Sequence, residues 1–114
     1  MVVHVVVFKW LTSRAADDVG RLGKALTELG ERMPEIRSLI AGPDLGVRPG
    51  TWDFAVVAQF ATVDDYRRYA TDPAHLRIIS ELIEPHLEAR QSVQIEAASE
   101  ACEAGHAVAS ESRR

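Results

Sequence analysis

A tyrosine and a histidine, one able to donate a hydrogen bond and the other to take a proton, sit in the short phrase Tyr69-Ala-Thr-Asp-Pro-Ala-His75. A neutral imidazole at pH 7 is a competent general base, and a phenol can hydrogen-bond the oxyanion that proton removal creates. Asp72-Pro73 reads as a helix start, because proline suits the first helical turn and forces the preceding residue into the extended geometry of an N-cap. His75 then stands in the first turn of that helix, where the positive helix end disfavours the imidazolium and Asp72 opposes that effect. Tyr69 closes the preceding helical turn, so the bend between them can aim the phenol and the imidazole into one cavity. The same phrase also has a purely structural reading, in which His75 bonds a backbone carbonyl and Tyr69 fills core volume.

Other residues are candidates for the walls of such a cavity. His4 shares a strand face with Phe8 and could line the floor, or it is a buried histidine satisfied by a backbone group or a tyrosine hydroxyl. Trp52, Phe54 and Val56 on a later strand, and Ile79 and Ile83 on the last helix, add an apolar lining that favours an aromatic or acyl ligand, although any core requires apolar residues there too. Cys102 and His106 are spaced to share a helix face, but two ligands fall short of a zinc site. His86 reads as a boundary residue, and Asp17, Asp18 and Glu31 as a solvated helix face. No metal and no cofactor is expected.

The elements that must hold these residues follow from periodicity. Val2 to Trp10 is rich in β-branched and aromatic residues with apolar side chains on both faces, which predicts a strand covered on both sides. Ser13 caps a predicted helix over 14–32, in which Val19, Leu22, Leu26, Leu29 and Met33 form one stripe. Pro34 ends it, 37–41 is a short strand, and Gly42, Pro43, Gly46, Pro49 and Gly50 mark a loop. The alternation from Trp52 to Phe60 predicts a third strand. Thr62 and Asp65 open a short helix carrying Tyr66 and Tyr69. The helix restarted at Asp72-Pro73 has Leu76, Ile79, Ile83 and Leu87 as its buried stripe, Pro85 loosens its last turn, and 90–96 is a fourth strand. The order β-α-β-β-α-β is the ferredoxin-like α+β arrangement. Residues 97–114 are mostly Ala, Ser and Glu and read as a mobile tail that cannot offset its ordering entropy.

Composition narrows the function. The 114 residues suit one domain, 46% apolar and 26% charged, with net charge −4 and no basic stripe, so nucleic acid is excluded as an expected partner. A single cysteine excludes an internal disulfide and is compatible with a reducing compartment. Val2–Phe8 reads as neither signal peptide nor membrane span, so no membrane is expected and a cytoplasmic location follows by default. Two helices cover one face of a four-stranded sheet and leave the valine face of the first strand open. A second copy of the chain, paired by a two-fold axis, is the expected cover.

The opening His4-Val-Val-Val-Phe8-Lys-Trp, the Trp52-Asp53 entrance to the third strand, Phe60-Ala-Thr-Val-Asp, and above all Tyr69 to His75 resemble the stress-responsive dimeric A/B barrel (Dabb) family over residues 1–96. The resemblance implies a homodimeric α/β barrel and, in some members, a small-molecule pocket between the helices and the curled sheet. In a plant polyketide cyclase of this kind, similar positions supply a base for aldol-type ring closure and a substrate-orienting tyrosine. Those roles carry over to His75 and Tyr69 only. Phe54 stands where that enzyme has a further pocket histidine, a departure that bears on the reaction itself. The expected function is therefore a cofactor-free cyclase or lyase acting on a small apolar or aromatic carbonyl compound. The alternatives are a non-catalytic stress-responsive or ligand-binding protein and a cofactor-free monooxygenase.

Overall fold

The computed structural model describes residues 1–98. Its elements are β1 (Val2–Trp10), α1 (Ala16–Arg32), β2 (Ile36–Pro43), β3 (Phe54–Phe60), α2 (Val63–Thr71), α3 (Pro73–Ile78) and β4 (Leu87–Glu96), with a π-helical turn over Ile79–Ile83 and a 3-10 turn over Glu84–His86 between the last two. The four strands form one antiparallel sheet in the order β2-β3-β1-β4. This is the ferredoxin-like α+β fold the periodicity predicts, with the three helices packed on one face. The expected tail, with Cys102 and His106, lies outside the described residues from 99 onward.

Strand alternation sorts the side chains. Val2, His4, Val6, Phe8 and Trp10 of β1 and Phe54, Val56, Ala58 and Phe60 of β3 are all buried on the helix side. Against them α1 lays Leu22, Leu26 and Leu29, none more than 2% exposed, with Met33 just beyond its end. The intervals of three and four along this stripe are those of one helix face. On the other side of the sheet Val5 is flanked by Val57 and Val93 in register, with Ile40 opposite Val57. Ile40 is 69%, Val93 53% and Ile95 50% exposed, so an apolar sheet face stands open.

Several sequence expectations shift. The cap of α1 is Ala15, with no side-chain hydrogen bond, and not Ser13; Asp17 and Asp18 in the first turn supply the favourable charge at the positive helix end instead. β2 and β4 are longer than the expected 37–41 and 90–96, because backbone pairing with β3 and β1 continues past the apolar residues that signal a strand. Trp52 lies before β3. There the chain turns: Asp53 donates its N–H to the Phe8 carbonyl at 2.8 Å, and its carboxylate accepts from the Trp10 N–H at 2.8 Å. Alternation does not carry across that turn, and Trp52 borders a depression with Val7, Gly42 and Ala55 rather than facing the helices. Leu76, expected in the buried stripe of the last helix, is 48% exposed.

The last helix is the least regular because of Pro85. Proline has no N–H for the carbonyl four residues back, and its ring crowds that carbonyl. The chain answers by widening: Glu84 donates its N–H to Ile79, five residues back, then tightens through the 3-10 turn into β4. No helix of the described residues is long and apolar enough to cross a membrane.

Candidate functional site

The junction of α2 and α3 fixes the two residues with chemical potential. Thr62 caps α2, its hydroxyl accepting from the Asp65 N–H at 3.1 Å. Asp72 closes α2 by donating its N–H to the Tyr69 carbonyl at 3.2 Å, and opens α3 by accepting from the N–H groups of Ala74 (3.0 Å) and His75 (3.3 Å). Pro73 follows as the first helical residue. The bend is thus pinned on both sides, and it brings the rings of Tyr69 and His75 together, 4.0 Å between centroids and 32° between planes.

Both rings line a cavity of about 210 Å3 between the helices and the sheet. His4, Val6 and Phe8 come from β1, Val56 from β3, and Ile79 and Ile83 from the π-helical turn. Among the expected wall residues, His4, Phe8, Val56, Ile79 and Ile83 therefore share the cavity with Tyr69 and His75. Two do not. Phe54 is packed in the core, 6.3 Å from the Phe8 ring and 6.1 Å from that of Trp10, and Trp52 lies on the far side of the turn. The inner helix face runs His75, Ile79, Ile83, so the expected stripe holds at Ile79 and Ile83 and gives way to His75 at its first position, where Leu76 is expected.

Six cavity residues were not among the expected ones: Val6 from β1, Leu26, Tyr66 and Ala70 from the helices, and Arg90 and Ser92 from β4. The Tyr66 ring is 5.2 Å from His4 and 6.3 Å from Tyr69, completing an aromatic cluster with Phe60. A further residue, Gln94, is paired with His4 in the β1–β4 register and bonds its Nδ1 through Oε1 at 2.7 Å. With the carboxamide in this orientation its oxygen accepts, the proton sits on Nδ1, and a neutral His4 keeps Nε2 as an acceptor. Helical periodicity carried Tyr66, but a polar residue on an edge strand gives no hydropathy signal.

Burial sets the protonation states. The His4 pKa is lowered by burial, with the Gln94 hydrogen bond opposing. The His75 pKa is also lowered, first by burial, with the Ala70 carbonyl opposing and the nearby His4 adding to the lowering. The Nδ1 of His75 is enclosed and has no hydrogen-bond partner of good geometry, so charging the ring there is disfavoured. Burial raises the Tyr69 pKa, and the like charge of Tyr66 adds to it. Near neutral pH the cavity thus presents neutral imidazoles and a phenol that keeps its proton. Among the described residues no group of three or more His, Cys, Asp or Glu side chains could hold a metal ion.

The sequence model of the stress-responsive A/B barrel domain (Dabb) matches residues 2–97. The chain belongs to the Dabb family. A dimeric ferredoxin-like protein of unknown function from Thermobifida fusca YX is 33% identical, with a TM-score of 0.77 over 84% of this chain and 90% of its own. Hydroxynitrile lyase from Passiflora edulis shares 20% identity and a TM-score of 0.73, over 86% of this chain and 94% of the lyase. A cofactor-independent oxygenase from Streptomyces nogalater shares 14% identity and a TM-score of 0.66, over 84% of this chain and 91% of the oxygenase. The last two likenesses show a common fold. A search of curated proteins finds none that matches in sequence.

Proposed function

We propose that this Dabb protein is a homodimer in which each subunit binds a small apolar or aromatic carbonyl compound and acts on it as a cofactor-free lyase or cyclase. The observation that carries the reading is the 4.0 Å pairing of the Tyr69 and His75 rings at one cavity, with the imidazole favoured in its neutral form. In the proposed step the His75 imidazole takes a proton from the carbon between two carbonyl groups. The carbanion electron pair forms a carbon–carbon bond to another carbonyl of the same molecule, whose π pair moves onto oxygen. Tyr69 stabilises that alkoxide by a hydrogen bond, and the imidazolium returns the proton to it, so neither electrons nor protons are gained or lost. General base action is worth roughly 10²–10⁴-fold, and an oxyanion donor about 10²–10³-fold.

Turnover of a linear tri-β-keto acid, supplied as its carboxylate, is the test. His75→Ala is expected to cost about 10²–10⁴-fold in kcat and Tyr69→Phe about 10²-fold or more, with the secondary structure of both variants unchanged by circular dichroism. Full activity in both would remove the pair from the mechanism. Binding without product would favour a ligand-binding role, and oxygen consumption would favour the monooxygenase reading.

The homodimer rests on the open face around Val5, Val57 and Val93 and on the dimeric Thermobifida fusca relative. Pairing through that face would leave the cavity on the helix side within each subunit.

A further inference from the structure

β4 is patterned differently from its neighbours. β1 and β3 turn mainly apolar side chains toward the helices, whereas β4 turns Arg90, Ser92 and Gln94 that way, in register with Phe8, Val6 and His4. Val93 and Ile95 go to the open face, and Leu87 at the strand's start packs against the core. Gln94 is used in holding His4. Arg90 and Ser92 line the cavity from the exposed edge strand, and their side chains make no hydrogen bond or ion pair with another described residue. The neighbouring acid on the strand, Glu88, lies 3.7 Å from Lys9 instead.

The charge balance of the cavity is therefore one-sided. Among the described residues no aspartate or glutamate lines it, burial favours the neutral form of both histidines, and the Arg90 guanidinium is its one cationic side chain. The complement of a lone guanidinium over an otherwise apolar and aromatic wall is a small anion with an apolar body. A carboxylate matches the planar fork of donors best, in two parallel hydrogen bonds, and the Ser92 hydroxyl adds a third donor on the same strand face.

We propose that Arg90, assisted by Ser92, is the anion-binding wall of this cavity, and that its ligand is a small carboxylate with an aromatic or unsaturated body. The assignment names the substrate class of the site proposed above and rests on that reading only for the reaction. The carboxylate is anchored on β4, and the body lies against Phe8, Val56 and Ile83 beneath the Tyr69–His75 pair. Its negative charge also favours the imidazolium that forms when a base in the same cavity takes up a proton.

Titration calorimetry with benzoate and its uncharged isostere benzamide tests this. Wild type is expected to bind benzoate about tenfold or more tightly than benzamide, the discrimination of a charge-assisted hydrogen bond. Arg90→Gln is expected to bind the two within about twofold of each other, and Arg90→Lys to recover part of the preference. Equal affinities in wild type, a preference that survives in Arg90→Gln, or no binding of benzoate would each overturn the assignment. Turnover plays no part in the measurement. A protein that selects benzoate yet fails to cyclise the tri-β-keto acid would count against the proposed reaction and for the carboxylate.

Discussion

At the scale of single residues, a buried imidazole links the site to stability. Both His4 and His75 have pKa values lowered by burial, so the unfolded chain binds more protons than the folded one between the folded-state values and the ordinary value near 6.5. Stability then rises with pH through that window: the contribution is complete above about 6.5 and is lost as the pH falls. Each histidine adds at most about 1.4 kcal/mol per pH unit. Urea unfolding at pH 7 and pH 5 is expected to show a smaller acid loss in His75→Gln than in wild type; identical losses would show that the ring is not held neutral. The chemical potential of Tyr69 and His75 was legible in the sequence because the phrase between them is a helix stop followed by a helix start. Arg90, Ser92 and Gln94 were not, because exposed polar residues on an edge strand carry no signal of what they border until the register places them opposite Phe8, Val6 and His4. Trp52 misled for the converse reason: its parity matches β3, but the turn held by Asp53 intervenes.

At the scale of elements, the junction of α2 and α3 depends on one carboxylate. Asp72 satisfies two of the N–H groups that α3 leaves without intrahelical partners. Asp72→Ala is expected to lower the unfolding free energy by about 1 kcal/mol, the usual cost of losing an N-cap, while Asp72→Asn changes it by a few tenths. Denaturant titration of the two variants separates the cap from the charge, since the 4.0 Å approach of Arg32 would be lost in both. Equal losses in both would assign the effect to charge. α1 was readable in full as a stripe because every residue it buries is apolar. Of the stripe expected for the last helix, Ile79, Ile83 and Leu87 were read correctly and only the first position was misplaced, as the inner face begins with His75, a polar residue, and hydropathy settled on Leu76 next to it. Pro85 announced an irregularity, but the π-helical turn by which the backbone accommodates it depends on packing against the sheet. A single inward position was thus illegible to hydropathy because a polar residue occupies it.

At the scale of the whole molecule, the sheet has two unlike faces, and the difference is already present in β1. Its even positions meet the helices; of its odd positions Val3 meets Ile95, Val5 meets Val93 and Val57, and Val7 meets Ala55 across the register, with Ile40 at the β2 edge. An open apolar face of this extent is an association surface, and a two-fold pairing lets one patch cover itself. Ile40 and Val93 are exposed in the single chain, so charges placed there should perturb its own packing little, whereas in the proposed pair they would be desolvated without partners. Light scattering is expected to give twice the chain mass for wild type and the single-chain mass for Ile40→Lys/Val93→Lys. The melting temperature of wild type should rise with protein concentration, as for any fold stabilised by association, and that of the variant should not. A wild-type protein of single-chain mass, with a melting temperature independent of concentration, would refute the pairing. Because the cavity lies on the other face, the separated variant should still bind benzoate if each subunit holds a complete site, and loss of binding on separation would show that the partner completes it.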